Sequence, residues 1–426
     1  ADPTSTSTIQ VYDTTSQPDI NDDLLALGNM NIAGDDHKAD VGFAHHEAHV
    51  TTLSNSLPPV VFIHGWKASV LADKKTGAVE FDYTLSVVSG LAKDPALELP
   101  LEWDTGGHQV KDNLIATEPC HSATCLCGVV KLGDIYGPVL DHLRKTRDLH
   151  VFAYDWRRCL DETAANFEKY LVEVKETTGG SPQVVAHSMG CLITLSVLNR
   201  RPDIFHSILF GAGAMSPNAS IIKDFSLLGE MNTIVRNTTM FNPRVNLSNP
   251  SAFYFTAYPG ERELYGKPSC VLFRDEEGNS LELELHDVET WKKYKIGVYH
   301  PNSGFAVVDD KTEAWFKSLL EKIHKFRLGL VPKNSGRKAK DFPPVAVLRG
   351  DHTDTEFGYV VRPDGVDLKE GITYLRGDGR ITLQDAVPPK DIPVCKIITN
   401  ERGHTEVLND LENVDTLLKV LISEKK

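Results

Sequence analysis

Gln183-Val-Val-Ala-His-Ser-Met-Gly190 runs directly into Cys191-Leu-Ile-Thr-Leu-Ser-Val-Leu-Asn199. The first part has the apolar run of a buried strand and the second the spacing of an amphipathic helix, so Ser188 falls on the turn between them. A serine hydroxyl is a weak nucleophile until its Oγ is exposed, set near a base and faced by oxyanion donors. A sharp strand-turn-helix elbow supplies this by geometry, and small residues two before and two after the serine let the turn close. Gly190 fills the second of these positions, and Ala186 stands where glycine is commoner in the first. The segment predicts a nucleophilic serine of the kind used by hydrolases and acyltransferases.

Working outward, strands and helices alternate. Pro59-Val-Val-Phe-Ile-His-Gly65 and His150-Val-Phe-Ala-Tyr-Asp-Trp-Arg157 read as buried strands ending in turns. Asp161 is placed to cap a helix whose apolar positions are Ala164, Phe167, Leu171 and Val174. His206-Ser-Ile-Leu-Phe-Gly-Ala-Gly213 is the strand after the elbow. Sheet patterning fails after Gly213, where Asn, Pro and aromatic residues accumulate. It resumes at Phe342-Pro-Pro-Val-Ala-Val-Leu-Arg-Gly350, continues through Pro393-Val-Cys-Lys-Ile-Ile-Thr399, and ends in a helix carrying Leu411, Val414, Leu417, Leu418 and Leu421. Apolar strands separated by helices predict an α/β fold: a mostly parallel sheet with helices on both faces. The divisions expected are an irregular extension over 1–56, a first part of the core over 57–213 with an excursion at 70–130, an inserted cap or lid over 214–341, and the rest of the core over 342–426.

The chain of 426 residues suits one large domain with insertions or two domains. A formal net charge of −14 argues against nucleic-acid binding and against general attraction to anionic membranes. No stretch reaches the roughly 18 apolar residues of a membrane-spanning helix. The sequence starts Ala-Asp-Pro-Thr-Ser, which reads as a processed or engineered end. Of seven cysteines, Cys120, Cys125 and Cys127 cluster as a small disulfide loop would. Zinc is disfavoured there: with His121 as fourth ligand the set lacks the two separated Cys pairs of a tetrahedral site. His45, His46, Glu47 and His49 miss the zinc-protease spacing by one residue and read as a solvated segment. Glycosylation triplets at Asn218, Asn237 and Asn246 point to a glycoprotein of the secretory pathway.

A nucleophilic serine needs a base, and the base an orienting acid; with this elbow they follow in the order Ser, Asp or Glu, His. Asp378 lies in the glycine-flanked turn Leu375-Arg-Gly-Asp-Gly-Arg380, and His404 in Asn400-Glu-Arg-Gly-His-Thr405 between the last strand and the last helix. Asp385 and Asp391 are rivals in less constrained turns, and Asp155 precedes the serine and reads as structural. The oxyanion donors are expected to be the backbone N–H groups of Met189, directly after the serine, and of Trp66, after the Ile63-His64-Gly65 strand end. His64 reads as a structural hydrogen-bonding residue. Ile221, Ile222, Phe225, Leu228 and Met231 share one helical face in the cap: either an ordinary helix buried on the body, or a lid that meets acyl chains or a membrane or lipoprotein surface.

Pro58-Pro-Val-Val-Phe-Ile-His-Gly-Trp-Lys-Ala-Ser-Val-Leu-Ala-Asp-Lys74, Tyr154-Asp-Trp-Arg157, Ala186-His-Ser-Met-Gly190, Gly377-Asp-Gly379 and Gly403-His404 together resemble the motifs, in order, of the lecithin:cholesterol acyltransferase family. That family includes the lysosomal phospholipase with transacylase activity. The resemblance runs over roughly 58–215 and 343–422 and is weak in the cap. It implies an α/β-hydrolase fold, Ser188, Asp378 and His404 as the triad, Trp66 and Met189 at the oxyanion positions, lipid or other acyl-ester substrates, no metal or cofactor, and a secreted or lysosomal setting. The chain departs from the family at His64-Gly65, where members carry Pro-Gly, and at Gly211-Ala-Gly-Ala-Met-Ser216, where they carry Gly-Ala-Pro-Trp-Gly-Gly. The N-terminal extension is also foreign to them. Two alternatives stay open: hydrolysis of non-phospholipid esters or lactones on the same triad, and a non-catalytic binding protein on a hydrolase scaffold.

Overall fold

A computed structural model describes residues 57–83, 97–125, 130–230, 243–256, 272–305, 308–332 and 336–425. The extension over 1–56, with its histidines, lies outside these, as do Cys127, Met231 and Asn237. Six strands form the main sheet: β1 (Val60–Ile63), β2 (Leu149–Phe152), β3 (Gln183–His187), β4 (Ser207–Gly211), β5 (Val345–Gly350) and β6 (Val394–Asn400), in the order β6-β5-β4-β3-β1-β2. Every pairing is parallel. Successive residues point to opposite faces of a strand, and both faces here are apolar. Val61, Ile63, Val184, Ala186, Ile208 and Phe210 enter one core cluster, and Val60, Phe62, Val185 and Leu209 the other. Helices α2 (Leu160–Thr178) and α3 (Met189–Arg200) cover the first face, and α1 (Gly137–Thr146) and α6 (Leu411–Ser423) the second.

Two local expectations are corrected. Helix α3 is not amphipathic: all its residues except Arg200 are buried, because the excursion and cap-region residues join the core cluster on that side. Asp161 does not cap α2. Cys159 occupies that position, and the Asp161 carboxylate, in the first turn, accepts a 2.7 Å hydrogen bond from the Tyr254 hydroxyl.

Between β4 and β5 come α4 (Ala219–Leu227), the short helical pieces Pro243–Ser248 and Pro250–Phe255, and the long helix α5 (Asp310–Gly329). A second, five-stranded sheet joins Leu272–Arg274 and Ser280–Leu281 to Thr353–Arg362, Gly365–Asp367 and Thr373–Gly377. Residues on either side of position 341 therefore share one sheet, and the chain leaves the end of β5, runs through this sheet, and comes back beside β5 at Gly377. The return carries Asp378. No described helix is long and apolar enough to cross a membrane.

The cysteine and sequon readings also change. Cys120 is a buried free thiol, so the disulfide expected at 120–127 does not engage it; the Cys125 side chain lies outside the described residues. Asn218 and Asn246 are buried, with their side chains hydrogen-bonded inside the fold, and are not available to carry glycans. Among the described residues no group of three or more His, Cys, Asp or Glu side chains could hold a metal.

Candidate active site

Ser188 adopts φ 52° and ψ −117°, a backbone conformation that L side chains rarely adopt and that costs about 1–3 kcal/mol. The neighbouring strand end holds it there. Its N–H donates to the Gly211 carbonyl at 3.0 Å, and its own carbonyl accepts from Cys191 N–H at 3.0 Å and Ala214 N–H at 3.3 Å. Gly190 is required by space: a Cβ there would lie 2.6 Å from the His64 carbonyl oxygen and 2.8 Å from that of Ile63. The elbow thus presents Oγ at the carboxyl edge of the sheet, beside the β1 loop.

The structure brings Asp378 and His404 to this edge. His404 Nε2 lies 2.9 Å from Ser188 Oγ, and Nδ1 lies 2.9 Å from Asp378 Oδ2. The other carboxylate oxygen, Oδ1, accepts the N–H groups of Arg380 at 2.9 Å and Ile381 at 2.7 Å. Glycine on either side lets this tight turn form, and the His404 N–H donates back to the Asp378 carbonyl at 3.0 Å. Burial pushes the Asp378 carboxyl up, but His404 and the two backbone donors outweigh it and hold the group below the ordinary carboxylate range. An ionised Asp378 fixes the Nδ1–H tautomer of His404, which leaves Nε2 free to accept the serine proton. The rivals fall away by position: Asp385 accepts from Thr382 Oγ1, and Asp155 pairs at 2.7 Å with Arg157, which also grips Asp112. Tyr154-Asp-Trp-Arg157 is therefore a buried clamp that ties residue 112 of the excursion to the end of β2.

The oxyanion candidates can be tested by asking where the backbone donors go. Gly65 N–H donates to the Tyr136 hydroxyl at 2.9 Å and Ser188 N–H to Gly211. The next N–H on each segment, Trp66 and Met189, has no protein partner among the described residues. His64 is buried against Tyr154, their rings stacked at 4.1 Å; its Nδ1 donates to the Gly65 carbonyl and its Nε2 accepts from Tyr154 N–H. Burial lowers its pKa to about 4, so it is a neutral strut under the loop that follows β1.

A cavity of about 390 Å³ opens over Ser188 and His404. Trp66, Ile221, Phe225, Leu228 and Phe255 make its apolar wall. The cap face read from sequence is thus turned inward: Ile221, Ile222, Phe225 and Leu228 are all buried, and Ile221, Phe225 and Leu228 line the cavity. Sequence reading passed over the polar part of this cavity. Arg380 and Asp224 pair across it at 2.7 Å, and Lys67, directly after Trp66, turns inward on a left-handed backbone (φ 53°). Its ammonium donates to Asn246 Oδ1 at 2.9 Å and sits 4.1 Å from the Trp66 ring centre, and burial lowers its pKa to about 7. Adjacency to Trp66 is the one sequence signal that points to it.

A parallel sheet in this order, a serine elbow after its third strand, and the acid and base returning at the ends of later strands decide the architecture. The chain folds as an α/β-hydrolase. Residues 138–207, from α1 through the elbow to the start of β4, match the lecithin:cholesterol acyltransferase family, as the quoted motifs led one to expect. The crystal structure of the Tle4–Tli4 complex is similar over 87% of this chain and 99% of that one, with a TM-score of 0.50 at 13% identity, a likeness of fold. Lipase BlEst2 of Bacillus licheniformis in its mature form aligns over 87% of this chain and 95% of its own, with a TM-score of 0.35 at 10% identity. Carboxylesterase CesB of Bacillus subtilis aligns over 86% and 84%, with a TM-score of 0.31 at 9% identity. No curated protein matches the chain.

Proposed function

We propose that the chain is a serine-nucleophile hydrolase or acyltransferase of lipid-like esters, with Ser188, His404 and Asp378 as its triad. The observation that carries this is His404, bridging Ser188 Oγ and Asp378 Oδ2 at 2.9 Å each, over a strained elbow that faces a cavity with an apolar wall. Ser188 Oγ attacks the ester carbonyl carbon while His404 Nε2 takes its proton, and Asp378 stabilises the imidazolium that forms. Charge on the carbonyl oxygen is met by Trp66 and Met189 N–H. The intermediate collapses to acyl-Ser188 as His404 returns the proton to the departing alcohol. Water, or an acceptor alcohol, then gives its proton to His404 as it attacks the acyl carbon, and His404 passes that proton to Ser188 Oγ as the acyl–oxygen bond breaks. The family match supports an acyl-ester substrate. The cavity volume is at the lower end of the ~300–1,000 Å³ of small-molecule sites, which suits one acyl chain or a compact ester.

A fluorophosphonate probe should label the wild-type chain at one site and leave Ser188→Ala unlabelled; labelling that persists in the variant refutes the nucleophile. Comparing release of fatty acid from phospholipid vesicles with turnover of small soluble esters and lactones, with and without added alcohols, then sorts the substrate readings. Absence of turnover on every ester in a chain that binds them would favour the non-catalytic binding reading.

A further inference from the structure

The geometry points to a positioning relay behind the elbow: we propose that Tyr136 and His187 together hold the oxyanion loop and His404 in register with Ser188. The inference rests on the catalytic reading above and names residues that reading does not use. His187, the residue before Ser188, is buried at the end of β3, and Tyr136 is buried just ahead of α1.

Proton positions along the relay follow from its ends. Gly65 N–H can only donate, and it points at Tyr136 Oη at 2.9 Å. The hydroxyl hydrogen then goes to His187 Nδ1, 2.7 Å away. An accepting Nδ1 in a neutral ring leaves the proton on Nε2, and Nε2–H donates to the His404 carbonyl oxygen at 2.9 Å. Burial, reinforced by His404 nearby, lowers the His187 pKa to about 3, so the ring stays neutral and the direction of the chain is fixed near neutral pH. Two side chains thereby cross-link three separate sheet ends. One end is the residue before the proposed oxyanion donor Trp66, the second is the residue before the nucleophile, and the third is the backbone of the base itself.

Packing gives an independent reason. A Cβ on Gly65 would fall 2.9 Å from Ser188 Cβ and 3.2 Å from both His187 Nδ1 and Tyr136 Oη, so the loop is seated directly on the relay. The His187 ring lies between those of Tyr136 and His404, with centroids 5.3 and 5.1 Å away. Misplacing a reacting group by about 1 Å can cost ~100-fold in rate.

Tyr136→Phe is the decisive variant, because it keeps the ring against Phe62 and removes only the hydroxyl. Turnover per active site, counted by fluorophosphonate titration, should fall ~10- to 100-fold with KM within about twofold and the midpoint of the pH profile unchanged. His187→Leu should fall as far, and His187→Gln, whose amide offers one acceptor and one donor, should recover part of the loss. Per-site turnover of Tyr136→Phe within twofold of wild type, or a loss explained wholly by fewer titratable sites, overturns the relay. Nitrogen-15 NMR of the wild-type chain tests it without reference to Ser188 chemistry: His187 is expected as the Nε2–H tautomer, and the Nδ1–H tautomer overturns it.

Discussion

The floor of the cavity comes from loops at the ends of parallel strands, and the wall above it from short helical pieces between residues 214 and 256. On the floor, positions are set by backbone: an energetically costly φ at Ser188, a carboxylate held by two N–H groups, and glycines with no room for a Cβ. In the wall, positions are set by side-chain packing, as where Phe225 stacks on Phe253 at 4.8 Å and Trp66 meets Phe255 edge-on. Backbone constraint fixes atoms to fractions of an ångström but admits few residues at each place. Apolar packing tolerates exchange of one large residue for another as long as volume is kept. On the proposed function, reaction type is set by the floor and the choice of ester by the wall.

Substitutions should separate these two halves by size of effect. Asp378→Asn on the floor should lower kcat by ~10³- to 10⁴-fold while circular dichroism and the unfolding midpoint stay near wild type, because the amide presents the wrong tautomer partner to His404. A loss under tenfold would remove Asp378 from the acid role. Gly190→Ala should fail differently, by displacing the β1 loop: the new methyl meets two backbone oxygens, so a stability cost of ~3 kcal/mol or more is expected in urea denaturation, together with loss of activity.

Acid should loosen the floor before it touches the wall. His64 and His187 are held at about 4 and about 3 when folded and return to ~6.5 on unfolding. Below that pH the unfolded chain binds more protons than the folded one, so stability falls as pH drops from 6.5 towards 4, by of the order of 3 kcal/mol for each ring across the window. Imidazole NMR signals of both residues should stay those of neutral rings down to pH 5, and titration near 6.5 would contradict their burial as struts. In the wall, Leu228→Trp should cut kcat/KM for long-chain esters about tenfold and spare acetate esters, a shift of the size that one large apolar group makes in a pocket. Equal losses on both esters would mean that Leu228, just beyond α4, supports the floor and does not select substrates.

The floor was largely legible in the sequence because its rules are local or ordered. Buried parallel strands announce themselves as continuous apolar runs, and Ser188, Asp378 and His404 follow the one chain order that this elbow permits. Long-range choices were not legible. Nothing near Tyr136 signals that its hydroxyl meets Gly65, and His187 sits inside the quoted elbow with no local signal of its partners. Asp161 has the composition of a cap, but its carboxylate is drawn to Tyr254 by tertiary packing. Strand Leu272–Arg274 lies in a stretch without sheet pattern, since its partner is Gly358–Val360, far along the chain. Asn218 and Asn246 match a surface signal by residue type alone, and only the fold shows them buried.

Asn218 carries a mechanical consequence. Its side-chain oxygen accepts from Ile221 N–H at the start of α4, and its nitrogen donates to the Arg380 carbonyl in the turn that aims Asp378 at His404. Helix and acid turn are bolted by one amide, so any swing of α4 outward drags on the acid. The geometry of the acid turn is therefore tied to the seating of α4, and a change in one is felt at the other. A residue that looks in sequence like a handle for sugar is the bolt between helix and turn.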